Sequence, residues 1–226
     1  MKEKAIIGCL LGTAVGDAMG LPCEGLSPGR IRRLFQATSE YHFLFGRGMV
    51  SDDTEHLCMT AQAWMTAKGD VDLFRTDLAK RLRYWLLALP AGVGFATLRS
   101  ILKLWLGFSP CRSGVISAGN GPAMRSTLLG VELGDRPEIL KQFVHASTAI
   151  THTDPKAYAG ALAVAIAAYE NATHSTIDPT RYWERINFFM KKDEHGEFLE
   201  CIERVIESVR AGESTQEFVH ARKLDR

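Results

Sequence analysis

A run of hydroxyl and acidic residues, Ser51-Asp52-Asp53-Thr54-Glu55, stands directly before a helical pattern that continues through Trp64. One interpretation is structural, with Ser51 as an N-cap and the acids in a first turn where the helix dipole favours negative charge. The other is chemical, because a hydroxyl beside adjacent carboxylates offers Mg²⁺ the hard oxygen donors that it prefers. His56 has no second histidine at ligand spacing, so we expect it to pack or to form a hydrogen bond.

A loop of small residues later in the chain has the features of a ligand-binding turn. Gly119 and Gly121 flank Asn120, and Pro122 is well suited to the start of a helix. Glycines let the backbone approach a ligand closely, and the amides at a helix start can cradle a phosphate. An ordinary tight turn would have a similar sequence, so this pattern alone leaves both interpretations open.

A second junction between a loop and a helix is Thr151-His152-Thr153-Asp154-Pro155. Asp154 is predicted as an N-cap and Pro155 as the first helical residue, which explains both residue types. Helix capping does not explain why a histidine is found at position 152.

The N-terminal segment carries a glycine stripe and two acidic residues. Because each glycine costs a helix about 1 kcal/mol relative to alanine, we expect the stripe to serve close helix packing. The glycines of the stripe are Gly8, Gly12, Gly16 and Gly20. The two acids, Asp17 and Glu24, lie around a glycine and proline turn at the end of this helical segment.

Apolar residues recur at helical spacing along nearly the whole chain, as in Leu57, Ala61, Trp64 and Met65. Alternating strand patterns are nearly absent, and Gly- and Pro-containing turns divide the chain into about ten helices. We therefore predict an all-α fold, a compact orthogonal multi-helix single domain over residues 1–226.

The composition bounds the class of protein. With 226 residues, 46% of them hydrophobic, the chain can bury a large core. A formal charge of +1 gives no overall field that would attract nucleic acid or an anionic membrane, so we expect neither as a partner. Five irregularly spaced cysteines fit neither a disulfide framework nor a thiolate zinc site, and we expect a cytoplasmic protein.

Taken in order, the segments Gly8–Glu24, Ser51–Glu55, Ser117–Arg125 and Thr151–Ala157 resemble the ADP-ribosylglycohydrolase family, which includes the dinitrogenase reductase-activating glycohydrolases. The resemblance implies an all-α fold with a pair of Mg²⁺ ions, or Mn²⁺, in a cleft that binds ADP-ribose. It also implies hydrolysis of the bond between ADP-ribose and a side chain such as arginine or serine. The partner would be an ADP-ribosylated protein or an ADP-ribosyl small molecule, and we expect a monomer.

The resemblance assigns roles to individual residues. Ser51, Asp52 and Asp53 match the family's metal-binding triplet, and Glu24 matches a glutamate near the metals. Asp53 or Asp52 would be the base that activates water, with Glu24 as a further member of the catalytic set. The residues that match the family's substrate-binding positions are Gly119, Asn120, Gly121 and His152.

One motif implied by the resemblance does not occur before Arg226, namely the C-terminal Gly-Gly-Asp-Thr-Asp-Thr segment that completes the metal site. This departure leaves three hypotheses: an active hydrolase, a degenerate ADP-ribose-binding module, or a non-catalytic scaffold. The intact acids at Asp52, Asp53 and Glu24 argue against the scaffold, because a scaffold needs no acid cluster. We predict the Mg²⁺-dependent hydrolase.

Overall fold

The computed structural model of the chain describes residues 2–35, 40–43 and 45–222. Within those ranges the chain forms twelve α-helices, and no β-strand is present there. The predicted all-α fold is confirmed.

The helices follow the predicted punctuation. Two single-turn 3-10 helices, Leu21–Cys23 and Leu86–Ala88, extend the ends of α1 and α4. The α-helices are α1 (Lys2–Gly20), α2 (Pro28–Leu34), α3 (Asp52–Ala67), α4 (Val71–Trp85), α5 (Phe95–Trp105), α6 (Gly121–Met124), α7 (Thr127–Leu133), α8 (Pro137–Ala149), α9 (Pro155–Thr173), α10 (Pro179–Phe189), α11 (Lys192–Arg210) and α12 (Thr215–Ala221).

The chain divides into two compact units. The first consists of Met1–Ala14 and Ser51–Ile177, and the second of Val15–Val50 and Asp178–Arg226. The prediction of a single domain over residues 1–226 remains a prediction. The Ser51 to Asp53 cluster, the Gly119 to Gly121 loop and His152 all belong to the first unit, whereas Glu24 belongs to the second.

The core of the first unit is built around aromatic and branched side chains from α3, α4 and α8. Leu57 and Phe74 are completely buried, as is Phe143. The Phe143 ring meets the edges of two other aromatic rings, with centroids 4.9 Å from Trp64 and 5.1 Å from Phe74. Such edge-to-face aromatic pairs stabilise the fold by more than the burial of their apolar area alone. These contacts therefore help to fix the relative positions of α3, α4 and α8.

Small residues bring α7 and α9 unusually close. Gly130 on α7 lies against the backbone of Ala165 on α9, and a Cβ added at Gly130 would stand 1.9 Å from the Ala165 carbonyl oxygen. Ala161 and Ala165 are themselves completely buried. The small residues at the contact itself, Gly130 on α7 and Ala165 on α9, are therefore what allows this backbone approach.

Side-chain hydrogen bonds define two helix starts, of which the one at Asp154 confirms the prediction. The Asp154 carboxylate accepts from the backbone N–H of Lys156 at 2.8 Å, with Pro155 opening α9. In the second unit, Ser214 and Glu217 form a capping box at the start of α12. These motifs are local, so the sequence alone predicts them well.

The glycine stripe of α1 has no close neighbour among the residues that the structure describes, and its packing role remains a prediction. A Cβ added at Gly8, Gly12, Gly16 or Gly20 would meet no described atom within 4 Å. Apolar side chains on the same helix are largely exposed, including Leu11 at 62%. By length and composition the segment Lys2–Cys23 could cross a membrane, a test that signal sequences also pass.

The second unit has a smaller core between α10 and α11. Ile186 and Phe189 of α10 are buried, as are Leu199 and Ile206 of α11. The Arg210 guanidinium also donates to the Thr180 hydroxyl at 2.9 Å, so the helices are joined by a polar contact as well.

Replacing Gly130 with alanine should destabilise the protein, because the new methyl group collides with the Ala165 carbonyl. We expect Gly130→Ala to lower the free energy of unfolding by about 1–3 kcal/mol. Gly160→Ala on α9 is the matched control: a Cβ there meets no atom within 4 Å, so it should stabilise the helix by about 0.5–1 kcal/mol. Urea denaturation measures both values, and equal effects would contradict the close contact.

Candidate functional site

The acid cluster opens α3 with its side chains largely removed from solvent. Ser51 occupies the N-cap position, but its side chain makes no capping hydrogen bond. Ser51 is 1% exposed and Asp52 is 9% exposed, while Asp53 is half-buried. Acids in a first helical turn are usually solvated, so the burial of Asp52 argues for more than a dipole interaction.

A glycine from another loop presses against this cluster. Gly92 has a positive φ of 81°, and a Cβ added to it would stand 2.1 Å from Oδ1 of Asp52. The loop before α5 therefore passes directly over the carboxylate. A side chain at position 92 would displace Asp52 or the loop.

The Gly119 to Gly121 loop wraps around the His152 ring. A Cβ added at Gly119 would lie 3.1 Å from Nε2 of His152, and one added at Gly121 would lie 2.9 Å from Cε1. Thr97 of α5 completes this contact, with its hydroxyl 3.4 Å from the added Cβ of Gly121. The structure thus brings together three of the four residues predicted to bind substrate, with Asn120 exposed between the two glycines.

Backbone hydrogen bonds fix the position of His152. The N–H of Val115 donates to the Thr151 carbonyl at 3.2 Å, and the N–H of Thr153 donates to the Val115 carbonyl at 3.0 Å. These bonds form an isolated parallel bridge between Val115 and His152. The His152 side chain itself is 3% exposed.

A fully buried arginine stands behind the histidine. The Arg125 guanidinium donates to the Ser147 hydroxyl at 2.9 Å, to the Ser147 carbonyl at 2.8 Å and to the Thr151 hydroxyl at 2.5 Å. No carboxylate of the described residues pairs with it. Burial lowers the pKa of Arg125 to about 9, so it is still cationic at neutral pH.

The same guanidinium connects the histidine loop with α3. Arg125 NH1 lies 3.5 Å from Nδ1 of His56, whose ring packs edge-on against Trp85 at a centroid distance of 4.4 Å. His56 is completely buried, as expected for a packing residue. Because His56 lies one helical turn after Asp52 on α3, Arg125 joins the two predicted parts of the site.

Both histidines are held neutral at physiological pH. Burial and then the charge of Arg125 lower the pKa of His152 to about 4. Burial also lowers the pKa of His56 well below its usual range, with further contributions from Arg125 and His152. Neither imidazole therefore adds positive charge at neutral pH.

Comparison with known proteins shows the family to which this chain belongs. The sequence profile of the ADP-ribosylglycohydrolase family matches residues 2–224. The chain belongs to the ADP-ribosylglycohydrolase family.

Two relatives are similar over most of this family member. An uncharacterized protein of Archaeoglobus fulgidus is 33% identical over 171 residues, which is 73% of this chain and 55% of the relative. The ADP-ribosyl-(dinitrogen reductase) glycohydrolase of Rhodospirillum rubrum is 30% identical over 161 residues, 69% of this chain and 54% of the relative. The chain spans about half the length of these curated relatives.

The donor set of this ADP-ribosylglycohydrolase chain fits Mg²⁺ in kind. Ser51, Asp52 and Asp53 supply a hydroxyl and two carboxylates, the oxygen ligands that this ion prefers. Among the described residues, no group of three or more His, Cys, Asp and Glu side chains is placed to hold a metal. Glu24 lies exposed just after the 3-10 helix Leu21–Cys23 in the second unit, so its role as a ligand remains a prediction.

Several residues of the site were not singled out from the sequence. Gly92 and Thr97 lie in an unremarkable turn and helix start, and their contacts come from distant parts of the chain. Arg125 had one available signal, because it is a charged residue two positions before the apolar α7. Thr151 is part of the His152 motif, but its contact with Arg125 depends on the fold.

The close approach of Gly92 to Asp52 predicts a strong effect of a methyl group. Gly92→Ala should destabilise the protein by about 1–3 kcal/mol, through the positive φ and the collision with the carboxylate. Gly94→Ala is the control, since its nearest neighbour, the Thr97 hydroxyl, would lie at 3.9 Å. Thermal unfolding of both variants checks the difference, which should vanish if Gly92 does not contact Asp52.

The lowered histidine pKa values predict an acid-sensitive fold. The ordinary histidine pKa is about 6.5. Below that pH the histidines of the unfolded chain bind protons, whereas His56 and His152 of the folded protein stay unprotonated. The stabilisation is complete above about pH 6.5 and is lost progressively as the pH falls toward the native pKa of His152, about 4. Urea denaturation between about pH 7 and pH 5 should show this fall, and His152→Asn should reduce its slope. An unchanged slope would contradict a neutral His152.

Proposed function

We propose that this chain acts as a Mg²⁺-dependent hydrolase that cleaves the glycosidic bond between ADP-ribose and a modified amino-acid side chain or a related ADP-ribosyl substrate. The observation that carries the proposal is the connection, through Arg125, of an acid cluster at the start of α3 with the loops around His152 in the same compact unit. A relative whose name describes an ADP-ribosyl glycohydrolase supports the reaction class.

The charge distribution supports an anionic ligand. Arg125 is a buried cation whose hydrogen bonds go to neutral groups, and no described carboxylate pairs with it. A charge removed from water without a paired anion favours a negatively charged group nearby. The diphosphate of ADP-ribose would meet this requirement, and the two glycines beside His152 would let the backbone approach it.

The acid cluster would supply the metal site and the base. Ser51, Asp52 and Asp53 would hold Mg²⁺, with Glu24 as a further predicted ligand. When bound, the ion would lower the pKa of a nearby water and hold the ribose hydroxyls next to the reacting carbon.

The chain's own residues would accept a proton from the attacking water and orient the substrate. Asp53 or Asp52 would take a proton from the attacking water, whose oxygen bonds to the anomeric carbon while the bond to the side-chain nitrogen or oxygen breaks. That bond's electron pair would leave with the side chain, which would receive the proton that the aspartate took from the water, so that the aspartate is again a carboxylate. Gly119, Asn120, Gly121 and His152 would hold the nucleotide sugar in position as its positive charge develops.

The setting proposed for this activity is cytoplasmic and monomeric. The substrate would be an ADP-ribosylated protein or an ADP-ribosyl small molecule, and the metal would be Mg²⁺ or Mn²⁺.

Calorimetric titration of ADP-ribose into the chain, with Mg²⁺ and with a chelator, tests the proposal directly. We expect binding only with the metal, and we expect Asp53→Asn to weaken it by about tenfold or more because a carboxylate ligand is lost. Asp72→Asn is the matched control, since Asp72 also lies in a first helical turn but pairs at the surface with Arg75. It should bind like the wild type.

The outcomes separate the three sequence hypotheses. Release of ADP-ribose from an ADP-ribosyl-arginine or ADP-ribosyl-serine substrate would confirm the hydrolase. Binding that does not need the metal, without turnover, would overturn it in favour of a binding module. No binding in either condition would overturn the ligand assignment as well.

A further inference from the structure

His152 is the one predicted substrate-binding residue with a titratable side chain, and its chemistry depends on which ring nitrogen carries the proton. A neutral imidazole has one N–H donor and one acceptor nitrogen. Its Nδ1 lies 2.8 Å from the Thr151 hydroxyl oxygen, so the direction of this hydrogen bond identifies the tautomer.

The first step is the direction of the bond between Arg125 and Thr151. A guanidinium donates hydrogen bonds and accepts none. The Arg125 NH2 group lies 2.5 Å from Oγ1 of Thr151, so the threonine oxygen must be the acceptor there.

The second step follows from the burial of Thr151. Its side chain is completely buried, and its hydroxyl has a single proton to donate. Among the described residues, Oγ1 contacts only Arg125 and His152. Leaving a buried hydroxyl proton without an acceptor is costly, so the proton goes to Nδ1 of His152.

The third step concerns the other ring nitrogen. Since Nδ1 accepts, the proton of the neutral ring is on Nε2. Nε2 is the atom that faces Gly119, at 3.1 Å from the position of an added Cβ, and no described residue is a hydrogen-bond partner for it. This N–H, which lies beside the glycine loop and has no acceptor among the described residues, is therefore available to an oxygen of a ligand bound there.

We propose that Arg125, acting through the Thr151 hydroxyl, locks His152 as the Nε2–H tautomer and so presents a hydrogen-bond donor to an acceptor oxygen of the ligand beside Gly119. Arg125 and Thr151 are thus positioning residues that set what His152 can recognise. The identity of the ligand as ADP-ribose rests on the proposed function, whereas the tautomer does not.

An Nε2–H donor beside Gly119 would favour ligands that place a hydrogen-bond acceptor, rather than a donor, opposite it. A hydroxyl, carbonyl or phosphate oxygen accepts from Nε2–H. A ligand with an N–H group at the same position would place a second donor against Nε2–H instead of an acceptor, which disfavours binding.

Two substitutions at Thr151 separate the hydroxyl from the shape of the side chain. Thr151→Val replaces the hydroxyl with a methyl group of nearly equal volume, and Thr151→Ser keeps the hydroxyl. Nitrogen-15 NMR of histidine-labelled protein reports the tautomer directly, with the His152 signal identified by its loss in His152→Asn.

We expect wild type and Thr151→Ser to show a protonated Nε2 and an unprotonated Nδ1 at neutral pH. Thr151→Val should show a mixture of tautomers or the Nδ1–H form. Its affinity for ADP-ribose in the presence of Mg²⁺ should fall about tenfold, whereas its affinity for Mg²⁺ alone should stay unchanged. Thermal unfolding of both variants verifies that they are folded.

A wild-type His152 with its proton on Nδ1 would overturn the proposal, as would an unchanged tautomer in folded Thr151→Val. Should Thr151→Val be unfolded, the wild-type and Thr151→Ser spectra still decide the tautomer. Failure of the wild type to bind ADP-ribose, together with a protonated Nε2, would overturn the proposed ligand and leave the tautomer assignment confirmed.

Discussion

The site depends on keeping one buried positive charge satisfied. A guanidinium removed from water is tolerated only when hydrogen-bond partners are held around it, and Arg125 takes them from Ser147, Thr151 and His56. These partners come from α8, from the loop that follows it and from α3. The position of Arg125 thus constrains three parts of the chain at once, which is why the acid cluster and the histidine loop occupy one compact unit.

The second constraint is that several close backbone contacts require glycine, which has no side chain. At Gly92 the backbone lies against the Asp52 carboxylate, at Gly119 and Gly121 it encloses the His152 ring, and at Gly130 it touches the Ala165 carbonyl. In each place a methyl group would collide with its neighbour. Close backbone approach lets the fold bury polar groups between loops without leaving voids beside them.

Much of the fold could be predicted because its signals are local. Helical periodicity predicts the all-α class, and the caps at Asp154 and Ser214 are formed within a few residues of each helix start. The packing role of the α1 glycines remains a prediction, because spacing on one helix shows that a groove exists but not which segment fills it, and no described atom would lie within 4 Å of an added Cβ there. The metal role of Ser51, Asp52, Asp53 and Glu24 remains a prediction.

The sequence by itself determined the helices, the family resemblance and the segments that carry Asp52 and His152. Only the tertiary structure decided that Arg125 is completely buried and that it reaches His56, sixty-nine residues away in the chain. The physical reason is that capping, periodicity and turn formation depend on near neighbours. The burial and charge state of Arg125, His56 and His152 depend instead on which distant segments pack around them, and no local pattern contains that information.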